Sequence, residues 1–249
     1  MKYITFLISK FKITFILQDY FKFKLLAAGN NRFSFRLLDA WPCPFDKTTN
    51  TAYDRHYVYH PAWAARILSR IKPEVHVDIS SLLNFSTLVS AFVPVEFYDY
   101  RPAQVQLDHF SSQHQDLMKL TFADNSIKSL SCMHTVEHVG LGRYGDTMDY
   151  DGDLKAMKEL ARVLSVDGHL IFVVPVGHRD MIQFNAHRIY TRNTVVNEFA
   201  KLGLKLKEFT LIPERAEDGA LVTNPSDQLL QKQRYACGCF LFSKNAKGF

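Results

Sequence analysis

SLSCMHTVEHVGLGRYGD, residues 129–146, passes from an apolar strand into a polar cluster and then into a glycine loop. His134, Glu137, His138 and Asp146, all able to handle protons or charge, stand with Arg143 and Tyr144 just beyond the strand. Gly140, Gly142 and Gly145 let the backbone turn tightly there. A strand that ends in a reactive loop is how open α/β sheets present active sites, so the stretch predicts both the fold class and the place of the chemistry.

The segments on either side repeat strand and helix. Downstream, Leu154, Met157, Leu160, Ala161 and Leu164 recur at helical period over 153–164. Asp167-Gly168 turns the chain, and the apolar run 170–174 suits a strand buried on both faces. Residues 191–202 read as a further helix, and 204–212 and 235–242 as two closing antiparallel strands joined by a polar loop. Upstream of the buried strand 127–133 lie a loop at 121–125 and a short strand that precedes or includes 114–117. A strand at 95–98, a helix around 86–91 and a strand at 75–79 come before these. Pro61 reads as the opening of a helix with Trp63, Ile67, Leu68 and Ile71 along one side, stopped by Pro73. This alternation predicts a mostly parallel sheet covered on both faces. Asp78 and Asp99 then end two strands about twenty residues apart, the spacing at which dinucleotide-type folds supply an acid to ribose hydroxyls.

The chain has 249 residues, 47% apolar and 22% charged, enough to bury a large core and too apolar for disorder. Its formal charge of +5 is spread out except at the N-terminus, and no aromatic-interleaved basic patch is present, so nucleic acid is not an expected partner. Four cysteines (Cys43, Cys132, Cys237, Cys239) are too few and too scattered for a disulfide framework or a paired CxxC zinc site, which predicts a reducing, cytoplasmic setting. Cys237 and Cys239 lie at period two on the last strand and share a face as packing groups. Residues 1–26 are apolar, aromatic and basic at once, but Lys10 and Lys12 interrupt them too soon for a spanning helix. Two readings stay open for this segment: an element packed on the domain, or a peripheral membrane contact with its lysines toward anionic lipid. Irregular sequence over 28–50 places the boundary there, giving an N-terminal extension, 1–50, and a main domain, 51–249.

LTFADNSIKSLSCMHTVEH followed by DLKAMKELARVLSVDGHLIFVVP resembles the second half of class I S-adenosylmethionine-dependent methyltransferases, and the likeness spans roughly 73–176. More narrowly, HYVYHPAWAARIL, HVDISS, FYDYRP, MHTVEHVGLGRYGD and FNAHRIY resemble the domain of unknown function 268 family from about Arg55 onward. The broader resemblance implies a Rossmann-like fold, a mostly parallel seven-stranded sheet with an antiparallel C-terminal strand. It also implies S-adenosylmethionine as cofactor and methyl transfer to a small molecule or saccharide. On it, Asp78 fills the acidic position of the first cofactor motif, with Ser80 and Ser81 in the loop that follows. Ser80, Leu82 and Asn84 stand where three glycines are expected, and side chains there are predicted to crowd the methionine moiety and to remove freedom for positive φ. Asp99 matches the ribose-binding acid, and Asp116 and Leu117 match the adenine contacts. The lost glycines motivate the rival reading, a methyltransferase-like domain that binds a ligand or partner without catalysis.

Within the opening stretch, His138 with Glu137 beside it is the candidate base for an acceptor hydroxyl, since imidazole titrates near pH 6.5. The plainer alternative is that the pair caps the following loop. His134, grouped with these and with Asp146 as catalytic candidates, also reads as a structural group under the sheet edge. Arg143 and Asp146 read either as an ion pair within the loop or, for Arg143, as a fork for an acidic substrate. Tyr144, Asn185, His187 and Arg188 complete a bipartite acceptor site from two loops on one sheet edge, and Tyr190 reads as core. His134-x-x-Glu137-His138 matches the inverted zinc-protease spacing, but Gly140 follows too closely for the required helix, so no metal site is read there. Oligomeric state is not legible.

Overall fold

A computed structural model of the chain describes residues 16–30 and 32–245. The chain divides into two compact units, 1–53 and 54–249. In the first, residues 16–26 are helical (α1) and Leu37–Asp39 form a single 3-10 turn. Phe35 stacks on Tyr20 with centroids 4.8 Å apart and meets Phe23 edge-on at 5.2 Å. The membrane-contact reading of 1–26 rests for its first fifteen positions on residues outside those described. Among the described residues, no helix is long and apolar enough to cross a membrane.

The second unit opens with α2 (Arg55–Ile71), which buries His56, His60, Trp63, Ala64, Ile67 and Leu68. The helix starts six residues before Pro61, because the Asp54 carboxylate accepts the Tyr57 N–H as an N-cap. Pro61 is therefore inside the helix rather than at its first turn. The chain leaves α2 through Lys72 in the left-handed region, just before Pro73.

The strands are β1 (His76–Ile79), β2 (Val95–Asp99), β3 (Phe110–His114), β4 (Ile127–Met133), β5 (Leu164–Val176), β8 (Leu204–Ile212), β9 (Val222–Thr223) and β10 (Ala236–Lys244). They form one sheet in the order β3-β2-β1-β4-β5-β10-β8-β9. From β3 to β5 every pairing is parallel, and β10 lies antiparallel between β5 and β8. The expected seven strands thus gain an eighth, the two-residue β9 at the edge of β8. A separate hairpin joins β6 (Met181–Gln183) to β7 (His187–Ile189). Helices α3 (Leu83–Val89), α4 (Gly152–Val163), α5 (Arg192–Lys201) and the short α6 (Asp227–Gln231) complete the unit.

Two cores lie on the two sheet faces, and period two along the strands assigns residues to them. Leu170, Phe172 and Val174 of β5 and Phe240 and Phe242 of β10 enter the core that holds Met157 and Leu160 of α4 and Phe199 of α5. Ile171 and Val173, with Cys237, Cys239 and Leu241, enter the core that holds Trp63 and Ile67 of α2 and Phe85 of α3. The cysteines and phenylalanines of β10 therefore face oppositely, as their spacing predicts.

Candidate active site

The carboxyl ends of β1 to β4 open into one cleft. Ser80, Asp99, Asp116, Leu117, His134, His138, Tyr144 and Asp146 line it, together with Tyr100, Arg101, Gln115, Met118, Thr135, Val139 and Thr147. On one side, Asp99 closes β2 and accepts the Arg101 N–H through Oδ1 at 2.6 Å. Asp116 follows β3 and accepts the Met118 N–H through Oδ1 at 2.9 Å. Each carboxylate keeps its Oδ2 without a protein partner among the described residues.

The loop after β1 departs from expectation. Ser80 adopts φ 57°, the conformation a glycine would supply, despite its side chain. It is held there by its N–H and its Oγ, which both donate to the Tyr98 carbonyl, at 2.6 and 3.1 Å. Thr135 Oγ1 donates to the Ser80 carbonyl at 2.6 Å, and Ser81 Oγ accepts the Met133 N–H at 2.9 Å, so this loop is tied to the end of β4. Leu82 packs against the α2-side core and Asn84 is exposed on α3; neither lines the cleft.

Asp78 does not reach the cleft, which corrects its assignment to the cofactor. It is fully buried, and its carboxylate accepts hydroxyls from Ser131 at 2.6 Å and from Ser86. Because Ser131 gives its proton to Asp78, His76 Nε2–H must donate to Ser131 Oγ at 2.9 Å, and His76 Nδ1 accepts from Ser129 at 2.8 Å. Burial raises the Asp78 pKa to about 6, against the lowering effect of its hydroxyl donors, and depresses that of His76 to about 3. Nothing in the spacing separates such a core network from a cofactor acid; the serines opposite it on β4 and α3 are the signal.

Past β4 the chain makes a 3-10 turn, Val136–His138, and sends its two histidines apart. His138 Nδ1 donates to the Ala186 carbonyl at 2.6 Å, which leaves Nε2 as the nitrogen with the lone pair, 3.9 Å from Glu137 Oε1. His134, at φ 55°, turns the other way: its Nδ1 meets Glu137 Oε1 at 2.9 Å and its Nε2 lies 3.4 Å from Cys237 Sγ. The inverted zinc-protease pairing is not formed. Instead His134 sits among His56, Tyr57 and His60, with ring centroids at 5.5, 5.4 and 4.9 Å, and His56 stacks on Tyr235 at 5.1 Å. None of these neighbours was singled out from sequence, although His56 and His60 lie one helical turn apart.

The glycine loop is pinned by Asp146, whose Oδ2 accepts the Gly140 N–H at 2.8 Å and whose Oδ1 accepts the Tyr144 N–H at 3.2 Å. Asp146 is thus committed to its own loop; it is neither a free catalytic group nor an ion-pair partner of Arg143. Arg143 donates to the Ala186 carbonyl at 2.9 Å and lies over the Tyr144 ring, with the guanidinium of Arg101 4.8 Å from the same ring. The two loops do meet, but through Ala186 and His187, whose ring is 6.4 Å from that of His138. Asn185 is exposed and off the cleft. Arg188 is buried and spends its guanidinium on the Val139 and Tyr150 carbonyls at 2.6 and 2.9 Å, with Asp153 at 3.5 Å, so it braces the glycine loop rather than a substrate. Tyr190 is core, its hydroxyl donating to Asp153 at 2.9 Å.

Comparison with known proteins bears on the fold. The family described as Caenorhabditis protein of unknown function, DUF268, matches residues 84–205. No curated protein matches the chain. Among solved structures, a chain of a Haloferax volcanii complex containing the Trm112 methyltransferase activator superposes with a TM-score of 0.53 at 16% identity, over 79% of this chain and 92% of that one. The Burkholderia thailandensis 1,6-didemethyltoxoflavin-N1-methyltransferase, with S-adenosylhomocysteine bound, gives 0.53 at 11% identity over 75% and 79%. A TehB-like SAM-dependent methyltransferase from Corynebacterium glutamicum gives 0.50 at 16% over 76% and 89%. At these identities the likeness is one of fold.

Proposed function

We propose, for a chain whose residues 84–205 match the DUF268 family and whose fold is that of class I methyltransferases, that it transfers a methyl group from S-adenosylmethionine to a hydroxyl of a small molecule or saccharide. The observation that carries this reading is the open cleft with the Asp99 and Asp116 carboxylates facing into it, while Leu82 and Asn84 stay out of it. The residues fit the adenosyl half of the cofactor: Asp99 would accept the ribose hydroxyls, Asp116 would accept the adenine amine, and Leu117 and Met118 would lie against the ring. At the methionine end, Ser80 turns the backbone as a glycine would, but its N–H and Oγ are already given to Tyr98. The cofactor, when bound, supplies the electrophilic methyl group. His138 Nε2 takes the proton of the acceptor hydroxyl, and its Nδ1–H bond to Ala186 holds the ring for this. Tyr144 and Arg101 line the acceptor side, and Arg143 supports the Tyr144 ring from outside the lining.

A second reading, ligand binding without catalysis, is favoured by one observation: Asp78, the acid of the first cofactor motif, is turned into the core. Methyl transfer from labelled S-adenosylmethionine to a panel of saccharide and small hydroxyl acceptors separates the two. Turnover is expected, with His138→Ala lowering kcat about 10²- to 10⁴-fold while cofactor affinity holds. Cofactor binding with no transfer to any acceptor, and no difference between the wild type and His138→Ala, supports the binding module instead.

A further inference from the structure

Behind the His134 wall of the cleft, three elements bring metal-ligating groups together. His56 comes from the first turn of α2, His134 from the end of β4 and Cys237 from the start of β10. One ligating atom from each lies within 4.8 Å of the other two, and this is the only such group of histidine, cysteine and carboxylate side chains among the described residues. His134 Nε2 and Cys237 Sγ are 3.4 Å apart. Two ligands of a tetrahedral zinc ion, with Zn–N about 2.0–2.1 Å and Zn–S about 2.3 Å, stand about 3.6 Å apart, so this pair is already at ligand spacing.

The surroundings point the same way. Glu137, 1% exposed, accepts from His134 Nδ1–H, which presents the Nε2 lone pair toward Cys237. A carboxylate on the far nitrogen is how protein sites orient a metal-bound imidazole. Glu137 Oε2 is buried without a hydrogen-bond partner among the described residues, and no lysine or arginine lies within ion-pair distance of that carboxylate there. A buried carboxylate of this kind needs positive charge nearby, and a cation on His134 provides it through the ring. His60 Nε2 is likewise buried without a partner, in a ring 4.9 Å from that of His134.

We propose that His56, His134 and Cys237 hold a divalent zinc-class ion, oriented through His134 by Glu137. Two imidazoles and a thiolate are a donor set that suits zinc, and three protein ligands leave the fourth tetrahedral position for water. Binding displaces the Cys237 thiol proton to solvent, and no electron is transferred. The site is independent of methyl transfer, and its readout is the metal itself.

The test is a titration of the full chain, stripped with chelator under reducing conditions, with Co²⁺ and then Zn²⁺. One equivalent of Co²⁺ is expected to give tetrahedral d–d absorption with a thiolate-to-cobalt charge-transfer band, and Zn²⁺ is expected to abolish both. Cys237→Ser removes the charge-transfer band, His56→Gln weakens zinc binding at least about tenfold, and Cys43→Ser, at an exposed thiol, changes neither. Circular dichroism reports whether each variant folds, and should Cys237→Ser fail, the wild-type spectrum and His56→Gln decide. A wild-type protein with no charge-transfer band, or zinc affinity unchanged by His56→Gln, overturns the proposal.

Discussion

Gly140 is the residue on which the glycine loop turns. It sits at φ 78°, and a Cβ built there would clash with the Asp149 carbonyl oxygen, so both conformation and space require glycine. Gly140→Ala is expected to cost about 2–3 kcal/mol. For a chain of this size that lowers Tm by about 5–10 °C. Differential scanning calorimetry checks it; an unchanged Tm would mean that the loop rearranges freely. Residue type alone does not separate a binding group from a structural one. Arg188 and Asp78 carry the chemistry of binding groups, yet one is consumed by loop carbonyls and the other by serine hydroxyls. Their partners are distant in sequence, so only the fold separates them from Asp99, whose carboxylate does face the cleft. Ser80 errs in the other direction: a non-glycine residue makes the turn because two hydrogen bonds to Tyr98 hold it there.

At the level of elements, β1, β4 and α3 are joined by the hydrogen-bonded chain from Ser129 through His76, Ser131 and Asp78 to Ser86. Its two titrating groups act in opposite senses. His76 is depressed to about 3 from 6.5, so the stability of its neutral form is complete above about pH 6.5 and is lost as pH falls toward about 3. Asp78 is raised to about 6 from 3.8, so its contribution is complete below about pH 4 and is lost as pH rises toward about 6. Between about pH 4 and 6 the slopes oppose each other. Asp78→Asn is therefore expected to steepen the fall of Tm on acidification from pH 6 to 4, read by thermal denaturation at stepped pH. Equal slopes in the two proteins would show that Asp78 does not titrate in this window. The elements themselves were largely legible, because period two and period 3.6 are local properties. The start of α2 was misplaced at Pro61, since the decisive signal is the Asp54 cap rather than the proline.

For the whole molecule, strand order does the organising: β1, β2, β3 and β4 are neighbours and parallel, so their carboxyl ends supply one cleft. The alternation of strands and helices made that sheet legible, and with it the positions of Asp99, Asp116 and His138. The wall formed by Tyr100, Arg101 and Met118 was not legible, because these residues follow their strands in loops without periodicity. Nor was the meeting of His56, His134 and Cys237, which depends on α2 and β10 converging on the end of β4. If the cleft beside Asp99 holds the methyl donor, calorimetric titration of the full chain with S-adenosylhomocysteine shows it without any acceptor being known. Saturable one-to-one binding is predicted, weakened about 10- to 100-fold by Asp99→Asn through loss of charge-assisted hydrogen bonds. No heat and no thermal shift at millimolar ligand would contradict it.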